Sequence, residues 1–293
     1  MTVFPPLLSR RLWGRSFDSP IILAGGTAGF GTELILTDGG CLEGVAAVVS
    51  KSVTLNPRAG NPPPRIQETE FGLLNSIGLA NPGVYSVVSH VLEQSVNMSC
   101  PLIVNVAGET EDEFARVVQV LEGSPVPWAY EVNVSCPNVA SGGLPFGSDP
   151  RAVERISRTV AGVTARPFCV KLTPNAGSLV ETAVAAQEGG ASGVTVCNTF
   201  LGMKMDWKTG TTLLRKKVAG YSSPALLPLV VARVWQVSQA VSVPVLASGG
   251  VARGEDILEL LAAGAEMVQV GSRLMRRPHA PRELLQEARG LLE

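Results

Sequence analysis

Eight short apolar runs recur along this 293-residue chain, each followed by a longer amphipathic stretch. No other feature constrains the fold as strongly. The runs cover residues 20–24, 45–51, 101–106, 128–134, 167–172, 192–197, 243–247 and 266–270. They are rich in Val and Ile and read as apolar throughout, as parallel strands covered on both faces should be. Helical patterns fall between them at 83–96, 110–121, 149–164, 178–188, 227–240, 254–262 and 281–292. The first crossover, around 32–36, carries the weakest pattern. Thr110 with Glu113 reads as a capping box. Gly189-Gly190 and Gly264 stand where left-handed helix ends are expected. Eight strand–helix pairs in order predict an α/β fold, a (β/α)8 TIM barrel. Such a barrel takes about 250 residues, so residues 1–293 read as a single domain. A doubly wound open sheet is the structural alternative.

The bulk properties remove several function classes. A net charge of −1 gives no basic surface for nucleic acid or anionic lipid. No run of about 18 apolar residues predicts a membrane span, and residues 1–16 lack the core of a signal peptide. Five cysteines, odd in number and widely spaced, make neither a disulfide framework nor a metal cluster. Free thiols fit a reducing cytoplasm.

Three connections are long, 52–82, 135–148 and 198–226, and all leave the C-terminal ends of strands. In barrels that face carries the active site. Asn133-Val-Ser-Cys136-Pro-Asn138 ends the fourth strand there, so Cys136 is a candidate base or nucleophile. A thiol of ordinary pKa, about 8.5, is only slightly ionised at neutral pH. Cys41, Cys100 and Cys169 read as small buried thiols. Cys197 ends a strand, but Asn198 and Thr199 beside it are better polar candidates. Lys51 and Lys171 close apolar strands, where an unpaired ammonium is costly. Each is either ion-paired or set to stabilise an anion. Asn75, Asn105, Asn133, Asn138 and Asn198 offer both donors and acceptors to a flat heterocycle. Ser248-Gly249-Gly250 and Gly271-Ser272 follow the last two strands, where barrels often bind phosphate; tight turns are the plain alternative. Gly25-Gly-Thr-Ala-Gly-Phe-Gly31 lacks the order of a dinucleotide fingerprint, and its glycines instead allow close approach of backbone to a flat ring. His90 and His279 lie away from strand ends, which argues against a histidine base.

Taken together these segments resemble the dihydroorotate dehydrogenase family over nearly the whole chain. The matching pieces are Lys51-Ser-Val-Thr-Leu-Asn-Pro-Arg-Ala-Gly-Asn-Pro62, Asn75-Ser-Ile-Gly-Leu-Ala-Asn-Pro-Gly83, Asn105-Val-Ala-Gly108, the Asn133–Asn138 segment, Lys171-Leu-Thr-Pro-Asn175, Ser248-Gly-Gly250 and Gly271-Ser272. The Cys-Pro-Asn segment followed by Gly142-Gly143 and Phe146-Gly147 is similar to the NAD-linked class 1B. Class 2 members carry a serine base and an N-terminal helical extension; this chain has Cys136 and no such extension. The resemblance implies FMN as cofactor and oxidation of (S)-dihydroorotate to orotate in pyrimidine biosynthesis. Cys136 would take the C5 proton while C6 gives hydride to flavin N5. Lys51, Asn75, Ile77, Gly78, Leu79, Asn133, Asn138, Asn198 and Thr199 match orotate-contacting positions. Gly25, Lys51, Ser52, Asn105, Asn133, Lys171, Cys197, Ser223, Gly249, Gly250, Gly271 and Ser272 match flavin-contacting positions. Two of these depart from the family's usual residues, Ser near Gly25 and Gly near Ser223. The second change is costly only if position 223 needs a positive φ. The loop 135–148, hinged at Gly142-Gly143, would close over the base.

The resemblance also implies a homodimer joined to a subunit carrying FAD and a 2Fe–2S cluster. A cluster needs about four thiolates, so it and the NAD site would belong to the partner. Three alternatives stand beside this: a class 1A homodimer passing electrons to fumarate, a dihydropyrimidine dehydrogenase-like enzyme, and a barrel that binds a phosphorylated ligand without catalysis.

Overall fold

All eight expected strands form, and they close. The computed structural model describes residues 8–31, 33, 42–96, 98–135, 146–175 and 177–293. The chain opens on a hairpin, β1 (Arg10–Leu12) and β2 (Arg15–Phe17), turned by Trp13 and Gly14 at φ 47° and 81°. Two positive φ values in a two-residue loop match the twist of the strands they join. The barrel begins with β3 (Ile21–Leu23) and β4 (Ala47–Val49). After the short strands β5 (Ile66–Glu68) and β6 (Leu73–Asn75) it resumes with β7 (Leu102–Val106), β8 (Pro127–Asn133), β9 (Phe168–Lys171) and β10 (Gly193–Val196). A second pair, β11 (Phe200–Gly202) and β12 (Ala219–Ser222), precedes β13 (Val245–Ser248) and β14 (Met267–Val270). The order β3-β4-β7-β8-β9-β10-β13-β14 returns to β3 with every pair parallel. The open-sheet alternative is thereby excluded.

Two of the long connections are not structureless. The first supplies β5 and β6, the third supplies β11 and β12, and the four join as an antiparallel sheet in the order β11-β12-β6-β5. The expected helices form at residues 84–95 (with a π turn at Val87–Val91), Glu111–Leu121, Pro150–Ala161, Leu179–Glu188, Leu227–Ser238, Gly254–Ala262 and Ala280–Gly290. A short helix, Ser272–Arg276, was not expected. The crossover at 32–36 lies outside the described residues except for Glu33. Thr110 Oγ1 accepts from Glu113 N–H, but the Glu113 carboxylate takes Glu109 N–H in place of the cap's own, so the box is only half closed. Gly190 and Gly264 take the left-handed conformation at φ 95° and 102°. Gly189 does not; its φ is −75°, and a Cβ there would stand 2.6 Å from Glu154 O, so close packing explains it.

Strand side chains divide cleanly in two. Outward residues such as Ile21, Leu23, Val104, Val132, Val170, Val194 and Val268 meet the surrounding helices in the main core. Inward residues Ile22, Ala47, Val49, Ile103, Ala129, Cys169, Leu246 and Met267 fill the lower barrel in a separate apolar cluster. Leu12 and Phe17 of the hairpin join that cluster, with Trp13 and Trp128 against it. Their rings meet at 5.3–5.6 Å between centroids, and Trp13 Nε1 donates to Ser192 O. The N-terminal end of the barrel is thus plugged.

Candidate functional site

Two residues further along the same strands, the inward positions change character. Ile103 gives way to Asn105, Ala129 to Glu131, Cys169 to Lys171, Leu246 to Ser248 and Met267 to Gln269; Gly193 is followed by Thr195. Because side chains alternate faces, these residues share the lumen with the apolar layer below. Glu131 is its hub and is fully buried. Its Oε1 accepts from Asn105 Nδ2 at 2.8 Å and from Lys171 Nζ at 3.4 Å. Its Oε2 accepts from Thr195 Oγ1 at 2.8 Å and from Gln269 Nε2 at 2.6 Å. β8 and β14 stand opposite in the strand order, so the Gln269 bond crosses the barrel. Four donors saturate a carboxylate, which offsets much of its burial cost.

Lys171 is therefore ion-paired, and it also lines a cleft above this layer. The cleft, about 1080 Å³ counted to its open mouth, collects Gly25, Asn75, Ile77, Cys197, Asn198, Thr199, Ser223, Gly249, Gly250, Gly271 and Ser272. These come from the ends of β3, β10, β13 and β14, together with β6 and the segment after β12. The four-stranded sheet is what brings Asn75 in: its Nδ2 donates to Gly220 O of β12. A Cβ at position 220 would stand 2.2 Å from Thr199 Oγ1 and 3.1 Å from Asn75 Nδ2, so any larger residue there would displace these two cleft side chains.

Gly249 and Gly250 hold φ values of 124° and 85°, and a Cβ on Gly250 would strike Leu227 Cα at 2.6 Å. Bare backbone is thus presented to the cleft at the end of β13. Gly271 and Ser272 present it again from the end of the neighbouring strand β14, at the start of the short helix.

Ser223 is settled by its own backbone. Its φ is −157°, extended, so no glycine is required. Its Oγ donates to Phe71 O at 2.6 Å and accepts from Ala225 N–H, capping the turn Pro224–Leu226. Gly25 has no positive φ, but a Cβ there would lie 3.1 Å from Ser50 O, so the serine usual at this position would be tight. Cys197 lines the cleft, yet burial pushes its thiol up to about 12. Burial, followed by the Glu131 charge, likewise raises Cys169, and burial raises Cys100 to about 11. All three are poor bases at neutral pH.

Other expected residues lie beside the cleft rather than on it. Asn133 Oδ1 accepts from Asn198 Nδ2 and from Ser135 N–H, both at 3.2 Å. Asn198 Nδ2 also donates to Ser135 Oγ at 2.9 Å. Lys51 N–H donates to Gly29 O, and Lys51 and Ser52 are half-buried. Gly78 and Leu79 both have positive φ, 72° and 57°; Gly78 borders a neighbouring polar cavity with Asn61 and Glu109. Cys136 and Asn138, with the hinge Gly142-Gly143, lie outside the described residues. The flanking chain is fixed, however: Gly147 N–H donates to Val134 O, and Phe146 packs edge-on against Phe114.

Sequence reasoning missed Glu131, Thr195 and Gln269. It read their strands as apolar throughout, although a carboxylate in the middle of Tyr130-Glu131-Val132 was a signal in plain view.

Fold and cleft define the class first: a (β/α)8 barrel with a polar cleft at the C-terminal ends of its strands. Comparison with known proteins then supplies the family. The model of the dihydroorotate dehydrogenase family matches residues 7–292, and the chain belongs to that family. It is similar to the "dihydroorotate dehydrogenase B (NAD(+)), catalytic subunit" of Bacillus pumilus, 42% identical over 98% of this chain and 92% of the relative. The proteins of that name from Desulforudis audaxviator and a Geobacter species are 42% and 39% identical, covering 91% and 96% of this chain and 86% and 92% of theirs. Among solved structures, the Eimeria tenella enzyme in complex with ferulenol superposes with a TM-score of 0.78 at 22% identity, over 98% of this chain and 84% of that one. That likeness speaks for the fold. Among the described residues no helix is long and apolar enough to cross a membrane.

Proposed function

We propose that this chain is the FMN-binding catalytic subunit of a dihydroorotate dehydrogenase, oxidising (S)-dihydroorotate to orotate in pyrimidine biosynthesis. The observation that carries the reading is the cleft itself. It sets a charged and amide-lined floor beside two stretches of exposed backbone, at Gly249-Gly250 and Gly271-Ser272. A flat polar ring bearing a phosphate fits that division. Gly249, Gly250, Gly271 and Ser272 would take the phosphate through backbone N–H groups. Lys171 would sit by the ring. Asn105 Oδ1 is buried and has no partner among the described residues, which suits an incoming N–H.

FMN, when bound, supplies the acceptor for the hydride that leaves C6 of dihydroorotate. The chain's own residues do the rest. Cys136 Sγ removes the C5 proton. Asn75, Asn133, Asn198 and Thr199 orient the pyrimidine through its amide edges, with Lys51 and Asn138 beside them. The loop 135–148 would exclude water by closing over the base. A partner subunit carrying FAD and a 2Fe–2S cluster would hand the electrons on to NAD⁺, and two copies of this chain would pair in the cytoplasm, with one FMN domain each. Similarity to relatives named as NAD-linked catalytic subunits supports that acceptor over fumarate.

The test begins with the purified chain. It should carry FMN, and orotate should perturb the flavin spectrum where uracil does not. Rapid fumarate-dependent turnover without a partner would refute the NAD-linked assignment. A uracil response equal to that of orotate would point to dihydropyrimidine chemistry. Colourless protein that takes up no FMN would sink the flavoprotein reading.

A further inference from the structure

Glu131 has no place in the chemistry above, yet it binds four polar side chains beneath the cleft, those of Asn105, Lys171, Thr195 and Gln269. A carboxylate can only accept hydrogen bonds. The amides of Asn105 and Gln269 must therefore turn their NH₂ groups toward it, at 2.8 and 2.6 Å. Two consequences follow. Gln269 Oε1 is left to face Lys171 Nζ, at 3.4 Å. Asn105 Oδ1 is left buried and unpartnered among the described residues. The Lys171 ammonium meets both of its acceptors, Glu131 Oε1 and Gln269 Oε1, at the long distance of 3.4 Å, so it is held loosely while it lines the cleft.

From this arrangement we infer that Glu131 is a positioning residue for the cofactor: it fixes Asn105 as an acceptor and offsets the charge that Lys171 offers to a reduced flavin. The inference rests on the proposed FMN site. A lysine alone would favour the anionic reduced form strongly. The buried carboxylate at its side tempers that preference and lowers the potential at which electrons can leave. A purely structural role for Glu131 would change stability without moving the potential in a set direction.

The experiment is a potentiometric titration of FMN on the intact chain and three variants. Glu131→Gln keeps the shape and removes the charge. It should raise the flavin potential by about 30 mV, a tenfold shift toward the reduced form for a two-electron couple. Lys171→Met should lower it. The double variant, which carries neither charge, should return toward the parent. If Glu131→Gln fails to fold, the double variant set against Lys171→Met carries the test, and its potential should be the higher. A folded Glu131→Gln with the parent's potential, or a double variant equal to Lys171→Met, would overturn the inference and leave the FMN reading intact. Parent protein that binds no FMN would remove both.

Discussion

The barrel lumen is built twice over from the same strands. In the lower layer Ile103, Ala129, Cys169, Leu246 and Met267 pack as a dry core under the hairpin plug. In the upper layer Asn105, Glu131, Lys171, Ser248 and Gln269 stand one inward position further on, joined by Thr195. One layer is held by close packing; in the other, four of the five residues around Glu131 bind its single carboxylate, all but Ser248. The lower layer can be perturbed only through stability. The upper one, together with the loops above it, can be perturbed through chemistry.

The sharpest division is expected at Cys136, the proposed base. Cys136→Ser should slow flavin reduction by dihydroorotate roughly 10²–10⁴-fold at neutral pH, the usual contribution of a positioned base. Melting temperature and orotate affinity should stay at parental values. Stopped-flow reduction rates equal to the parent's would remove Cys136 from its role.

In the lower layer the reverse is expected. Leu246→Ala deletes buried methyl groups from a site that is 0% exposed. It should cost about 2–5 kcal/mol of folding stability. FMN affinity of the folded protein should not change. Urea denaturation reads the first and flavin titration the second. A loss of FMN affinity with stability intact would mean that the two layers are coupled.

How far these layers were legible beforehand follows from their physics. The strands were readable because their outer faces are apolar and mostly Val, Ile and Leu, and that signal dominates short runs. It also masked the inner face, where Ala129-x-Glu131-x-Asn133 marks the change from dry to polar. Lys171 could be suspected from its cost when buried, but its partner is 40 positions away, and only closure of the barrel brings the two together. The four-stranded sheet was unreadable because its strands are three or four residues long and mostly half-exposed. Ser272–Arg276 is likewise too short to show a period. The glycine pairs were legible as sites, while the reason for each became visible only as a contact.

Gly250 offers a smaller test at the edge of the polar layer. Gly250→Ala places a Cβ 2.6 Å from the backbone at Leu227, at a φ of 85°. The helix that starts at Leu227 must shift to accommodate it, at a cost of about 1–3 kcal/mol. FMN affinity should fall with stability, since the same glycine faces the cleft. Riboflavin, which has no phosphate, should lose less affinity than FMN does. Equal losses for the two would place the phosphate elsewhere.

An effect of similar size on stability, with none on phosphate binding, is expected at Thr195, and it probes the boundary between the layers. Thr195→Val keeps the volume and removes one donor to Glu131 Oε2, which Gln269 Nε2 still holds at 2.6 Å. The hydroxyl also stands 3.5 Å from Cys169 Sγ of the layer below. Losing one of four hydrogen bonds to a buried charge should cost about 1–3 kcal/mol. If the carboxylate holds the upper layer as one unit, the loss should exceed that of an isolated bond, and a Thr195→Val, Gln269→Leu pair should be non-additive. Additive losses in urea denaturation would mean that each strand satisfies its own polar residue. The upper layer would then differ from the lower one in composition but not in how it is held together.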